Sequence, residues 1–249
     1  MEEPAHLTMP DRRRIAFRYT PGTGPALVFL PGYMSDMSGS KATAVFEWAR
    51  AQGHACLLLD YSGCGASSGK FADGSLTRWR DEVIAVIDGA CRGPIILVGS
   101  SMGGWLMLLV ALAMPQRIVG LIGIAAAPDF TEWGFDADEK TEIKATGKHV
   151  RPLSPAYKGE PLGTSRAFWL SGQANLLLEH PIPLDCPVRL LHGQQDADVP
   201  WQTSLRLAEV LHSADVQVTL IKDGDHRLSR DCDIALLLRT VAALAEPSP

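Results

Sequence analysis

The chain has no apolar run approaching the roughly 18–20 residues that a membrane-spanning helix needs. Its longest, from about Met102 to Met114, reads as a buried helix. It is also poor in positive charge, with 23 Lys and Arg against 28 Asp and Glu and a formal charge of −5. Binding phosphates requires a basic face, so nucleic acid is not an expected partner. The one basic cluster, Arg12-Arg13-Arg14, is too short to supply such a face and is expected at the solvated start of a strand. Cysteine is sparse. Cys56, Cys64, Cys91, Cys186 and Cys232 are odd in number and lack metal-ligand spacing, which argues against a zinc site and a disulfide framework. A reducing compartment follows. The first residues, MEEPAHLTMPDRRR, are acidic and then basic, without the apolar centre of a secretory signal; no transit segment is read either. The expected location is therefore the cytoplasm. The oligomeric state is not legible in the sequence.

What is present is an ordinary globular composition, 46% hydrophobic and 20% charged, enough for one large core across residues 1–249. Short apolar runs alternate with helical ones. Strands are expected at Arg14–Tyr19, Ala26–Leu30, Ala55–Tyr61, Ile95–Gly99, Val119–Ala125, Val188–His192 and Val216–Lys222. Helices are expected near Lys41–Ala51, Leu76–Ala90, Met102–Ala113, Thr203–Leu211 and Ser229–Ala245. Such repetition predicts an α/β fold with a mostly parallel central sheet and helices on both faces. From 128 to 183 no strand-like run occurs, and short helices are expected at Glu132–Thr146 and Gln173–His180. The stretch is too long for an ordinary loop. It carries Trp133, Phe135, Phe168 and Trp169, so it reads as a small helical cap with an apolar underside.

Gly99-Ser100-Ser101-Met102-Gly103 fits G-x-S-x-G and stands between an apolar strand and an apolar helix, the context of a nucleophile elbow. The spacing from both glycines selects Ser101 as nucleophile. A serine hydroxyl needs a base within hydrogen-bond reach, itself oriented by a carboxylate. Downstream, Gly193-Gln194-Gln195-Asp196-Ala197-Asp198 follows one expected strand and Asp223-Gly224-Asp225-His226 follows the last. This is the order acid, then histidine. Of the seven histidines, His226 is the expected base and His192 the next. Asp196 is preferred to Asp198, which is expected to cap the following helix, and Asp225 reads as a turn residue. Oxyanion donors are expected at the backbone amides of Met102, at a helix N-terminus, and Tyr33, in Pro31-Gly32-Tyr33. Asp60-Tyr61-Ser62-Gly63-Cys64-Gly65 lacks the Lys and Ser/Thr of a phosphate loop and reads as a structural turn. No metal or organic cofactor is expected.

With these motifs placed, the chain resembles the α/β-hydrolase superfamily over essentially its whole length. Phe29-Leu30-Pro31-Gly32-Tyr33, the run from Gly99 to Met107, and the run from Cys186 to Trp201 are similar to a mitochondrial branch of it. That branch removes palmitoyl groups from protein cysteines and hydrolyses acyl glucuronides. The resemblance implies Ser101, Asp196 and His226 as a triad, and a small-molecule or acylated-protein substrate carrying an ester or thioester. Serine at the elbow argues against the dehalogenase and epoxide hydrolase relatives, which use aspartate there. A carbon–carbon bond hydrolase on the same triad and a ligand receptor of slow turnover remain open. The stretch from Pro128 to His180 matches the branch poorly.

Overall fold

The computed structural model describes residues 3–150 and 163–246. Eight strands form one sheet: β1 (Ala5–Thr8), β2 (Arg14–Thr20), β3 (Thr23–Leu30), β4 (His54–Leu59), β5 (Ile95–Ser100), β6 (Ile118–Ile124), β9 (Val188–Gly193) and β10 (Val216–Ile221). Their spatial order is β1-β2-β4-β3-β5-β6-β9-β10, with β1 and β2 antiparallel to their neighbours and the rest parallel. The expected α/β fold is the one observed.

Continuous apolar runs become strands buried on both faces because alternate residues serve two cores. Val28, Leu30, Leu57, Leu59, Ile95 and Leu97 pack with α2 (Leu76–Ala90), α3 (Met102–Ala113) and α7 (Gln202–Val210). Leu27, Phe29, Leu58, Ile96, Val98 and Ile122 pack with α1 (Ser40–Gln52) and α8 (Asp231–Ala245) on the other face. Among the described residues, no helix is long and apolar enough to cross a membrane.

The chain leaves β3 toward β4 and returns on the other side of β3 as β5. Strand order reverses between β3 and β5, and such a reversal opens a crevice at the strands' C-terminal ends. Ser101 and the loop after Leu30 meet there.

Several expectations are corrected. Strand β1, with His6 and Thr8 among its four residues, has too weak an apolar alternation to be read locally and exists by pairing with β2. Between β6 and β9 the expected helix at Glu132–Thr146 is split into α4 (Phe130–Trp133) and α5 (Ala137–Thr146). Gly134 ends the first, and Asp136 starts the second through a capping box with Glu139. The expected helix at Gln173–His180 is instead α6 (Arg166–Gln173), whose N-terminus is fixed by Ser165 Oγ accepting from the Phe168 amide at 3.1 Å. A two-residue ladder, β7 (Lys148–His149) with β8 (Thr164–Ser165), precedes it. Residues 151–162 of the expected cap and the tail at 247–249 lie outside the described residues. Arg13 is not simply solvated: its guanidinium pairs with Asp11 and with Glu82, which is fully buried.

Candidate active site

Ser101 stands between β5 and α3 with φ 54° and ψ −120°, a left-handed conformation rare for any residue with a side chain. The turn closes because its flanks are glycines. A Cβ at Gly103 would collide with the carbonyl oxygens of Leu30 and Pro31, and one at Gly99 with the backbone of Gly103 and Gly104. The loop after β3 is equally close, since a Cβ at Gly32 would lie 3.3 Å from the Cβ of Ser101. The Tyr33 amide therefore belongs to a turn seated on Ser101, closed by the Ser35 amide donating to Gly32 O at 3.2 Å. Among the described residues, neither the Tyr33 nor the Met102 amide is given to an acceptor.

Strands β9 and β10 are parallel neighbours, so their exit loops leave the same sheet edge. The loops are tied together by Gln194 N donating to Ile221 O and Gln195 N donating to Gly224 O, each at 2.8 Å. This brings His226 Nε2 to 3.1 Å from Ser101 Oγ and His226 Nδ1 to 2.8 Å from Asp196 Oδ2. The Asp196 side chain is buried. Its other oxygen, Oδ1, accepts from the Asp198 amide at 2.9 Å and the Val199 amide at 2.8 Å. Burial alone would raise the Asp196 carboxyl. Hydrogen bonds from His192 and His226 outweigh that, aided by the Val199 amide, and hold it well below the usual carboxylate range. Because the carboxylate only accepts, His226 Nδ1 carries its proton and Nε2 is left to accept from Ser101. A serine–imidazole–carboxylate chain of this kind can take the hydroxyl proton as the oxygen attacks a carbonyl.

The structure brings Ser101, His226 and Asp196 into one hydrogen-bonded line, with Met102 next to Ser101 in the chain and Tyr33 in the turn whose Gly32 lies against it. Asp198 stays exposed. It does not cap the next helix, since the N-cap position of α7 is Trp201, without a side-chain bond. Asp225 takes the Leu228 amide at 3.0 Å, as a turn residue does. Asp60 spans two loops, accepting from Met37 N at 2.7 Å and Ala66 N at 2.8 Å, so its glycine-containing segment is a structural turn. Cys64 in that turn is buried, and burial pushes its thiol up to about 12. One trio of ligand-type atoms, from Asp196, Asp198 and His226, lies within 4.8 Å of one another. Both His226 nitrogens are already engaged by Asp196 and Ser101.

Two participants carried no local signal. Lys41, in the first turn of α1, donates its ammonium to the carbonyl of Arg227, the residue after His226. Burial, with Arg227 nearby, lowers Lys41 to about 8. Ser204, in α7, meets His192, which lies against Asp196. Lys41 and Arg227 also line a cavity of about 520 Å³ opening beside Ser101 and His226. On the other side of the Pro31-to-Tyr33 turn the surroundings are aromatic. The Tyr33 ring lies 5.0 Å from Phe168 and 5.8 Å from Phe130, centroid to centroid. Phe168 is buried and also packs on Trp79 at 5.6 Å, so this aromatic joins the 128–183 stretch to the body. Trp169 forms a separate cluster with Phe135 and Ile143 and gives its indole N–H to Thr131 O at 3.0 Å.

Residues 27–240 match the Alpha/beta hydrolase family. The chain is 41% identical over 243 residues to the Homo sapiens protein named palmitoyl-protein thioesterase ABHD10, mitochondrial, covering 96% of this chain and 79% of that one. A solved structure of alpha/beta hydrolase domain-containing protein 10 from mouse superimposes with a TM-score of 0.91 at 40% identity, covering 98% of each chain. A more distant relative is 2-hydroxymuconate semialdehyde hydrolase of Pseudomonas sp. (strain CF600), 27% identical over 233 residues and 79% of either chain.

These findings overturn the expected cytoplasmic location. Counterparts from Pongo abelii, Bos taurus, Mus musculus and Rattus norvegicus, at 40–42% identity, share the mitochondrial name and none is named as cytoplasmic. The physical reason is simple. Thiol content separates reducing from oxidising surroundings but carries no address among reducing ones.

Proposed function

The chain belongs to the alpha/beta hydrolase family and is an ester or thioester hydrolase, and from this premise we propose that Ser101 is its nucleophile, His226 the base and Asp196 the acid. The observation that carries the assignment is the unbroken line from Ser101 Oγ through both His226 nitrogens to a buried carboxylate, at 3.1 and 2.8 Å. Ser101 attacks the acyl carbonyl as its proton passes to His226 Nε2, and Asp196 stabilises the imidazolium. The amides of Met102 and Tyr33 receive the oxyanion; their lack of acceptors among the described residues and their place beside Ser101 support this. The imidazolium returns its proton to the leaving thiolate or alkoxide. Water, activated by the same histidine, then releases the acid.

The substrate class is the S-palmitoyl thioester of a protein, by likeness to the ABHD10 relatives. We read residues 1–249 as one domain, with 128–183 inserted as a cap that roofs the acyl chain; its position between β6 and β9, and the seating of Phe168 on Tyr33, support that reading. A carbon–carbon bond hydrolase is the second reading, favoured by the 2-hydroxymuconate semialdehyde hydrolase likeness alone.

The test is fluorophosphonate labelling followed by turnover of palmitoyl-cysteine peptides, short acyl esters and a vinylogous diketone acid. The proposal expects label on Ser101, loss of turnover in Ser101→Ala and retention in Ser100→Ala. Turnover of the diketone alone would transfer the assignment to the second reading, and label without turnover of any substrate would favour a receptor.

A further inference from the structure

A second histidine touches the same carboxylate. His192, near the end of β9, is fully buried, and its contacts define its protonation. Nε2 lies 3.2 Å from Asp196 Oδ2 and 3.1 Å from Val199 O. Both neighbours only accept, so Nε2 carries a proton. Nδ1 lies 2.7 Å from Ser204 Oγ, a hydroxyl that is itself buried and free to donate. A neutral ring satisfies every partner, whereas a buried imidazolium would add a desolvated charge. His192 and Ser204 are both buried, and neither lines the cavity beside Ser101 and His226, so His192 is not placed to act as a base on substrate. It is the second member of a line running Ser204, His192, Asp196, His226, Ser101.

We propose that His192 is a positioning residue of the hydrolase: as a neutral ring protonated on Nε2 and steadied by Ser204, it fixes the Asp196 carboxylate and takes a share of its charge, and thereby sets how strongly Asp196 draws on His226. The inference rests on the reading of Asp196 as partner of His226. Oδ2 receives both rings, so what one donor takes is withdrawn from the other. Removing His192 returns that share to His226, favours its protonated form and moves the acid limb of the rate profile to higher pH. It also removes one of the two donors that hold Oδ2 while the backbone holds Oδ1, which loosens the carboxylate against His226 and lowers kcat without touching substrate binding. The other charged groups around the line are Asp198 on its own loop, Asp225 and Arg227 beside His226, and Lys41 from α1. A substitution at 192 alters none of them, so movement of the limb reports this contact.

The experiment compares wild type with His192→Leu, His192→Gln, Ser204→Ala and Asp196→Asn on a short acyl ester, from about pH 5 to 9. Active sites are counted by fluorophosphonate titration. Nitrogen-15 NMR of histidine-labelled wild type identifies the protonated ring nitrogen of His192. The expected results are a kcat lower by roughly 10- to 100-fold in His192→Leu at unchanged KM, and an acid limb about one unit higher. His192→Gln, whose amide N–H reaches the position of Nε2, restores most of both, and Ser204→Ala falls between. The spectrum shows Nε2 protonated and Nδ1 bare. A wild-type limb and kcat in His192→Leu, alongside an inactive Asp196→Asn, overturns this inference and leaves the triad standing. Loss of kcat with an unmoved limb and no rescue by glutamine also overturns it, as does a doubly protonated His192. A fully active Asp196→Asn overturns the triad reading beneath it. Should His192→Leu fail to fold, the glutamine variant and the spectrum still decide.

Discussion

Replacing Asp196 by asparagine tests the proposed acid with almost no change of shape, and the hydrogen bonds around the carboxylate dictate the outcome. Asparagine keeps one acceptor and substitutes an amide NH₂ for the other. Oδ1 now receives the backbone amides of Asp198 and Val199 at 2.9 and 2.8 Å. Those donors belong to the backbone and cannot turn away, and leaving the part-buried Val199 amide unpaired would cost about 1–3 kcal/mol. The oxygen of asparagine therefore faces the backbone, and its NH₂ faces the two histidines. His226 Nδ1 must then become an acceptor, which moves the ring proton to Nε2. A protonated Nε2 cannot accept from Ser101 Oγ, now 3.1 Å away. Forcing the wrong tautomer in a triad lowers kcat by about 10⁴, or roughly 5 kcal/mol of barrier. Asp198→Asn, at an exposed side chain, should stay within about threefold, as a surface charge change does. The assay is kcat on a short acyl ester, normalised to sites titrated by fluorophosphonate, beside a melting curve. An Asp196→Asn enzyme within tenfold of wild type, or an Asp198→Asn enzyme equally impaired, would refute the reasoning.

Gly103→Ala should yield protein destabilised by about 1–3 kcal/mol or more, because the new methyl meets the Leu30 and Pro31 carbonyls; a wild-type melting curve would contradict it. Phe168→Ala should cost about 3–5 kcal/mol and depress short and long acyl substrates together, since this ring packs the insertion onto Tyr33 and Trp79; selective loss of long chains would instead assign it to the acyl site. Lys41→Met should lower kcat a few-fold and remove an alkaline limb near pH 8, where the wild-type ammonium ceases to hold the Arg227 carbonyl. The sign for stability is the reverse: the folded chain gives up this proton first, so wild type gains stability as pH rises from about 8 toward about 10, and the methionine variant does not. At the acid end, Asp196 is held low in the fold, so its contribution is full above about pH 4 and fades as pH falls below that; denaturation curves should be less steep in acid for Asp196→Asn.

The strands that build the sheet were legible because burial on both faces demands uninterrupted apolar residues, as in Ile95 to Val98 and Ile118 to Ile124. The elbow was legible because a turn this tight tolerates only glycine on its flanks, and the order serine, aspartate, histidine follows from loops leaving one edge of a parallel sheet. The short ladder of β1 was not, since its stability comes from a partner and not from its own four residues. The choice between Asp196 and Asp198 rested on turn position, and only the fold separates them: one carboxylate is sunk beneath His226, the other turned to solvent. Nothing local marks Lys41, Ser204 or the depth of Phe168, which acquire their neighbours from 12 to 186 positions away along the chain. The sequence by itself determined periodicity, turn chemistry and the order of reactive groups, because each depends on residues within a few positions. Which side chains finally share a proton was decided by tertiary structure, because that depends on distances of about 3 Å, set only when the loops after β5, β9 and β10 close on one another.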